Sequence, residues 1–297
     1  MTAEELLQGG RLDEALEDLQ SRVRKHPADA KLRVFLFQLL SVMGQWQRAL
    51  TQLRVAGDLD AKSLAMVQTY VEAIRCELLR AEIFAGRRTP LVFGEPAEWM
   101  ALLIQALKLS GEQQFEEAGR LRDRAFAAAP AVPGRIDGHS FEWLADADPR
   151  LGPMLEAIVN GRYYWIPFQR LREIRMEKPV DLRDLVWTAA ELTWANGGQS
   201  VALIPTRYPG SERATDSRLV MARATDWIEQ PAGHFQGVGQ RLLATDLGEH
   251  ALLDVRVASF DVEGSAAAGQ GAGQGAGEDR GATEEASVPV SFQATDG

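Results

Sequence analysis

The chain of 297 residues has one cysteine, Cys76, and only four histidines. A single thiol excludes an intramolecular disulfide framework. His26, His139, His234 and His250 show no H-x-x-x-H or comparable ligand spacing, so neither a metal site nor a cofactor is expected. Lysine is scarce as well: only Lys25, Lys31, Lys62, Lys108 and Lys178 stand among the 32 basic residues, the rest being arginine. Positive charge falls short of the 42 acids, giving a net charge of -10 and a sequence pI near 5.1. That balance argues against a nucleic-acid partner, since a phosphate backbone needs a basic footprint. No run approaches the roughly 20 apolar residues that span a bilayer, so no membrane insertion is expected. The opening Met1-Thr2-Ala3-Glu4-Glu5 places acids where a secretion signal needs basic residues before an apolar run. Together these absences predict a cytoplasmic protein, in which a lone reduced cysteine is ordinary.

What is present is internal repetition. Gly10, Ala15, Leu16 and Leu19 recur as Gly44, Ala49, Leu50 and Leu53, each 34 residues later. A looser copy, Phe115-Glu116-Glu117-Ala118, lies 103 residues after Leu12-Asp13-Glu14-Ala15, and Pro27 and Pro130 share that offset. A period of 34 is that of helix-turn-helix tetratricopeptide repeats. Small Ala15, Ala49 and Ala118 permit close helix approach, and the prolines end helices because they lack an N–H. Between the copies, Leu64, Val67, Tyr70, Val71, Ile74 and Leu78 recur at helical spacing. Residues 1–130 therefore read as an all-helical, tetratricopeptide-like array of about three degenerate repeats.

Past the Ala131-Val132-Pro133-Gly134 linker the pattern changes. Met154–Asn160 is expected as a short helix, and Tyr163–Pro167 as an edge strand because of its proline. Asn196-Gly197-Gly198 marks a hairpin between Asp184–Trp194 and Gln199–Pro205. A second hairpin is expected around Asp246-Leu247-Gly248, with arms Arg241–Thr245 and Ala251–Phe260. Residues 131–262 thus form a compact, mainly β domain with short helices, making the fold class α+β with two domains. Residues 263–297 hold six acids and one arginine in a Gly/Ala-rich setting, and are expected to be a disordered tail.

No constellation for catalysis stands out. Gly237-Val238-Gly239 is a poor phosphate loop, because a strand pattern follows it where a helix is needed. Arg207-Tyr208-Pro209-Gly210-Ser211-Glu212 reads as a turn, with Arg207 and Tyr208 as binding candidates; Ser211 has no histidine near it in sequence. Trp143, Tyr163, Tyr164, Trp165, Trp187, Trp194, Tyr208 and Trp227 crowd the second domain, as core or as a contact patch.

Leu36–Leu40 with Gly44–Ala49, Phe84-Ala85-Gly86, Phe141–Asp148, Arg150-Leu151-Gly152-Pro153, Leu203–Glu212 and Gly239-Gln240-Arg241 resemble the ImpE/TagJ family. The resemblance runs over roughly residues 1–262, with Arg207–Glu212 its most specific element. It implies a non-enzymatic accessory component of bacterial type VI secretion. The partners it implies are the N-terminal segment of the small sheath subunit, TssB, and the ClpV ATPase that recycles contracted sheath. An enzyme built on the β domain around Ser211, or a purely structural scaffold, are the alternatives left open by the residues.

Within the array, Arg33, Phe37 and Leu40 share one side of the helix expected over Asp29–Met43, and Tyr70 and Ile74 have the same spacing on the next long helix. They are the expected docking residues for an amphipathic segment, with Arg207 and Tyr208 as a second choice. This expectation requires partial exposure. Given it, Phe37→Ala weakens binding by roughly 1–2 kcal/mol and spares stability, which titration calorimetry and a thermal melt would check together.

Overall fold

Fourteen-residue helices sit at the repeat positions of the computed structural model, which describes residues 1–262. Helix α1 (Ala3–Gln8) and α2 (Leu12–Lys25) form the first pair, α3 (Ala30–Val42) and α4 (Trp46–Leu59) the second. The long α5 (Leu64–Phe84) follows a short turn, and after it comes the two-residue strand β1 (Leu91–Val92). The last pair is α6 (Glu98–Gly111) and α7 (Phe115–Ala128). Both ends of α2, α4 and α7 obey the 34- and 103-residue offsets. Ala15, Ala49 and Ala118 are all buried where the helices of each pair approach. The turns obey the repeat too: Gly10 (φ 74°), Gly44 (φ 66°) and Gln113 (φ 63°) occupy equivalent left-handed positions.

The β part begins with β2 (Gly134–Ile136), β3 (His139–Phe141) and β4 (Leu144–Asp146). Then come β5 (Met154–Val159), β6 (Arg162–Pro167), β7 (Leu171–Met176), β8 (Trp187–Trp194) and β9 (Gln199–Pro205). A four-residue helix, α8 (Ser217–Val220), precedes β10 (Thr225–Gln230) and β11 (His234–Gly239). The described chain ends with β12 (Leu242–Thr245), β13 (Gly248–Ala251) and β14 (Val257–Phe260). Nine strands form one sheet in the order β1-β6-β5-β9-β8-β7-β14-β2-β3, in which only the β1–β6 pairing is parallel. β10–β11 is a separate ribbon, and β13-β12-β4 a small third sheet.

Three expectations need correction. Met154–Asn160 is not a helix: Met154–Val159 is strand β5, buried along its whole length. A strand covered on both faces reads as a continuous apolar run, and periodicity cannot separate it from a buried helix. β6 is not at the edge, because β1 pairs beyond it; Pro167 is tolerated as its last residue. The second hairpin is shorter than expected. β12 pairs with Gly248–Ala251, while Val257–Phe260 leaves to join the large sheet beside β7 and β2. The Asp137 carboxylate accepts from the backbone N–H groups of Arg256 and Val257 and fixes that departure. The tail prediction for 263–297 lies outside the described residues.

One face of the large sheet packs against the helices. Phe37, Tyr70 and Ile74 share a core cluster with Ile158, Tyr163, Trp165, Trp187 and Leu203. Tyr70 stands between Phe37 (5.6 Å) and Trp187 (5.5 Å), and Tyr163, Trp165 and Trp187 are the aromatic residues of the β part that go into this junction. The other face lines a second core, including Leu155, Ile166, Leu192 and Ile204, with Phe168 stacked on Phe260.

The third repeat departs from the first two where it meets the β part. Gly119 stands where Leu16 and Leu50 stood, because His234 lies where its Cβ would be. Arg122 replaces Leu19 and Leu53 and is 5% exposed, its Nε and Nη1 without hydrogen-bond partners. Exposed Gln113 holds a left-handed conformation that glycine adopts at no steric cost. We expect Gln113→Gly, which restores the repeat, to stabilise the protein by about 0.5–1 kcal/mol; an unchanged or lower melting temperature contradicts this.

Candidate functional site

Arg207–Glu212 follows β9, and its turn is built from its own side chains. Gly210 has φ 87°, the left-handed geometry that the Pro-Gly pair predicts. Ser211 is fully buried; its hydroxyl donates to the Tyr208 carbonyl (2.6 Å) and accepts from the Gly239 N–H (2.8 Å). The Tyr208 N–H in turn donates to the Gly239 carbonyl (2.9 Å). Gly237 is required because the Tyr208 ring lies 2.3 Å from where its Cβ would sit. Gly237 thus lets a strand lie against Tyr208, Gly239 (φ 92°) lets it pass close to the Ala224 carbonyl, and Ser211 acts as a staple between two backbone segments.

Arg207 reaches the other way. Its Nη1 donates to the carbonyl of Val42 (2.8 Å), the last residue of α3, and to that of Val220. One guanidinium thereby ties the end of a repeat helix to the β part. Burial pulls its pKa down to about 10, still leaving it charged at neutral pH.

Beside it lies a buried ionic cluster. Arg80 of α5 donates to both carboxylate oxygens of Glu156 on β5 (2.6 and 2.7 Å), to the Arg207 carbonyl (2.7 Å) and to Glu77 (3.3 Å). Tyr163 donates its hydroxyl to Glu156, and Arg241 bridges Glu156 and Asp146. Trp187 Nε1 donates to Glu77 (3.1 Å), and Arg150 forms a forked pair with Asp148. Among the described residues four acids are buried (Glu77, Asp146, Asp148, Glu156), against five arginines (Arg80, Arg122, Arg150, Arg207, Arg241). Arg122 and Arg207 are the two of these arginines without an ionic partner within 4 Å among the described residues, and Arg207 is held by backbone carbonyls instead. Such a cluster specifies how two layers meet; removing one member strands a buried charge at a cost of about 3–5 kcal/mol.

The expected docking residues divide. Phe37 is 0% exposed, Leu40 and Ile74 1%, Tyr70 8%, Arg207 4% and Tyr208 1%. They are core or structural ties, and in this conformation none offers a surface anchor, which corrects the expectation. The reason is tertiary: the sheet covers the helix face that a free-standing array would leave open. Phe37→Ala is therefore a cavity-forming change. Arg33 is different. It is half-buried on α3, held by the Pro27 carbonyl (2.9 and 3.2 Å) and the Gln52 side chain (2.8 Å). It borders a groove of about 530 Å³ between α2, α3 and α4, whose floor includes Val23, Leu36 and Leu40. The charged residues lining the groove are Arg24, Arg33 and Arg48, none of which faces a carboxylate of a described residue within 4 Å. The residues missed by sequence reasoning, Arg24 and Arg48, carried a usable signal: each lies on a repeat helix and faces outward.

Cys76 packs on α5 with its Sγ 3.5 Å from the Gly161 carbonyl, and burial pushes its thiol up to about 12, far from thiolate chemistry. No group of three or more metal-binding side chains occurs among the described residues, nor any helix long and apolar enough to cross a membrane.

Residues 138–259 match the model of the ImpE protein family. Over 261 residues the chain is 58% identical to the type VI secretion system accessory component TagJ of Pseudomonas aeruginosa, covering 88% of this chain and 92% of that protein. The chain belongs to the ImpE/TagJ family. Protein VPA1032 of Vibrio parahaemolyticus, known from its crystal structure, has the same fold at 22% identity, with a TM-score of 0.79 over 87% of this chain and 97% of that one. The family match falls on the part of this ImpE/TagJ chain that contributes Asp146, Asp148, Glu156, Arg207 and Arg241 to the cluster.

Burial pushes the Asp146 carboxyl up to about 6, against the pull of Arg241. Burial also raises Asp148, but Arg150 outweighs it and holds that carboxyl below the ordinary range. Between the ordinary value near 4 and pH 6, folded Asp146 keeps a proton that the unfolded chain has released. Asp146 therefore adds stability as pH falls through 6, whereas the Asp148 contribution is present above the ordinary carboxylate range and lost below it. Urea midpoints from pH 7 to 4 should rise for the native protein relative to Asp146→Asn; parallel curves would contradict the assignment.

Proposed function

We propose that this chain is a cytoplasmic, non-enzymatic accessory component of a type VI secretion system. On this reading it binds the N-terminal segment of the small sheath subunit, TssB, and links the sheath to the ClpV ATPase. The observation that carries the reading is the identity to TagJ, spread over 92% of that protein's length. The architecture supports it. Residues 1–130 supply the repeat surface, and residues 131–262 supply the base that holds the repeats in position.

The groove between α2, α3 and α4 is the docking site in this proposal. Val23, Leu36 and Leu40 at its floor are themselves buried, so a docking helix meets mainly the groove's polar rim. Its rim of three arginines without acidic partners favours a segment carrying carboxylates, and such pairs steer association as well as strengthen it. Ser211 does not serve as a nucleophile in this scheme, because both sides of its hydroxyl are engaged by backbone.

Fluorescence anisotropy with a labelled N-terminal peptide of the cognate TssB tests the reading. Binding at tens of micromolar or tighter is expected. The double change Arg24→Glu/Arg48→Glu, at the two exposed rim positions, should weaken it roughly tenfold or more, about 1.4 kcal/mol, without lowering the melting temperature. No binding by the folded native protein would overturn the proposal; binding indifferent to the double change would place the site elsewhere.

A further inference from the structure

A second groove lies where α5 ends, alongside β1 and α6, with a volume of about 680 Å³. Its apolar lining includes Ile83, Leu91, Val92, Ile104 and Leu107, and Leu91 is 50% exposed. Its charged lining residues are Arg87, Arg88 and Lys108, all basic, on a chain whose net charge is -10. Arg87 is occupied by a forked pair with Glu82, and Lys108 stands 3.9 Å from Glu112. Arg88 makes no ion pair with a described residue within 4 Å.

The groove also contains an open sheet edge. β1 is the terminal strand of the nine-stranded sheet and is hydrogen-bonded to β6 alone. Phe93 donates its N–H to the Trp165 carbonyl (2.9 Å), so at Phe93 the backbone faces β6. Successive residues of a strand direct their N–H and C=O groups to opposite sides. The N–H and C=O of Val92 therefore face away from β6, on the side of the groove. Pro90, which precedes this pair, has no N–H to offer and limits a visiting strand to a short pairing around Val92. Two or three backbone bonds are a weak hold by themselves, which leaves selection to the apolar lining and the basic rim.

We propose that this edge accepts an extended acidic segment of a partner protein by β-strand addition beside β1. Alternate side chains of the segment rest on Leu91 and Ile104, while its carboxylates meet Arg88 and Lys108. Main-chain bonds then supply register and the side chains specificity, as in other strand-addition interfaces. The surface is separate from the α2–α3–α4 groove and does not depend on the function proposed above. It gives the protein a second contact, able to hold an extended segment while the first holds a helix.

The test uses the full chain and a labelled synthetic octapeptide that alternates glutamate and valine. The expected dissociation constant is on the order of 10–100 μM, and a lysine–valine counterpart should bind at least tenfold more weakly. Arg88→Glu/Lys108→Glu should weaken the acidic peptide by about tenfold at an unchanged melting temperature. N-methylation of alternate peptide amides, which leaves every charge in place, should abolish binding, since it removes the strand-pairing donors. Hydrogen exchange should show the Val92 amide protected only when the peptide is bound. Failure to bind at about 1 mM overturns the proposal. Equal binding of the N-methylated peptide, or an unprotected Val92 amide, reduces the effect to charge attraction and overturns it as well. These outcomes involve no sheath peptide, so they stand apart from the test of the α2–α3–α4 groove.

Discussion

Glu156 sits on a central strand with its side chain fully removed from water, and a carboxylate in that position is tolerable only if cations meet it there. One of them, Arg80, comes from the longest repeat helix; the other, Arg241, comes from the segment that opens the small third sheet. The helical array and the β part meet at this carboxylate, which takes one cation from each. The same constraint explains Arg207, whose guanidinium satisfies the Val42 carbonyl at the end of α3 and which accepts, through its own carbonyl, from Arg80. Apolar packing between Phe37, Tyr70 and Trp187 supplies area at this junction, but area is non-directional. The ionic cluster supplies the register.

That junction also accounts for how the repeats have diverged. In the first two pairs the second helix presents leucine at the shared positions, as a helix packing on helices should. In α7 those positions carry Gly119 and Arg122, and the partner is the β10–β11 connection at His234. Burial lowers the pKa of Arg122, and its head group meets Ser110 at 3.4 Å. A repeat that stops stacking on its own kind loses the reason for its consensus residues.

Net charge describes the surface poorly. The chain is acidic as a whole, yet the charged side chains lining both helical grooves are basic. Within a Debye length of about 8 Å at physiological salt, a docking segment responds to those local arginines and hardly to acids elsewhere. The sign of the whole molecule excludes polyanions as bulk partners, while the sign of each groove selects an acidic segment.

The helices were legible in the sequence because a repeat states its own period: the offsets of 34 and 103 residues set α2, α4 and α7 in register with one another. Hairpin β8–β9 was legible for a local reason, since Asn196-Gly197-Gly198 encodes a turn that needs no distant contact. Strand β5 was not, because burial on both faces erases the alternation that distinguishes strand from helix. The exposure of Phe37 was not legible either. Its spacing on α3 is the same whether a partner or the protein's own sheet covers it, and only the long-range packing of the sheet against α3 and α5 decides which. Sequence periodicity determines which side of an element is apolar. What lies against that side, and hence whether it is core or docking surface, is set by contacts between residues more than a hundred positions apart, of which the Arg80–Arg207 and Val42–Arg207 bonds are examples.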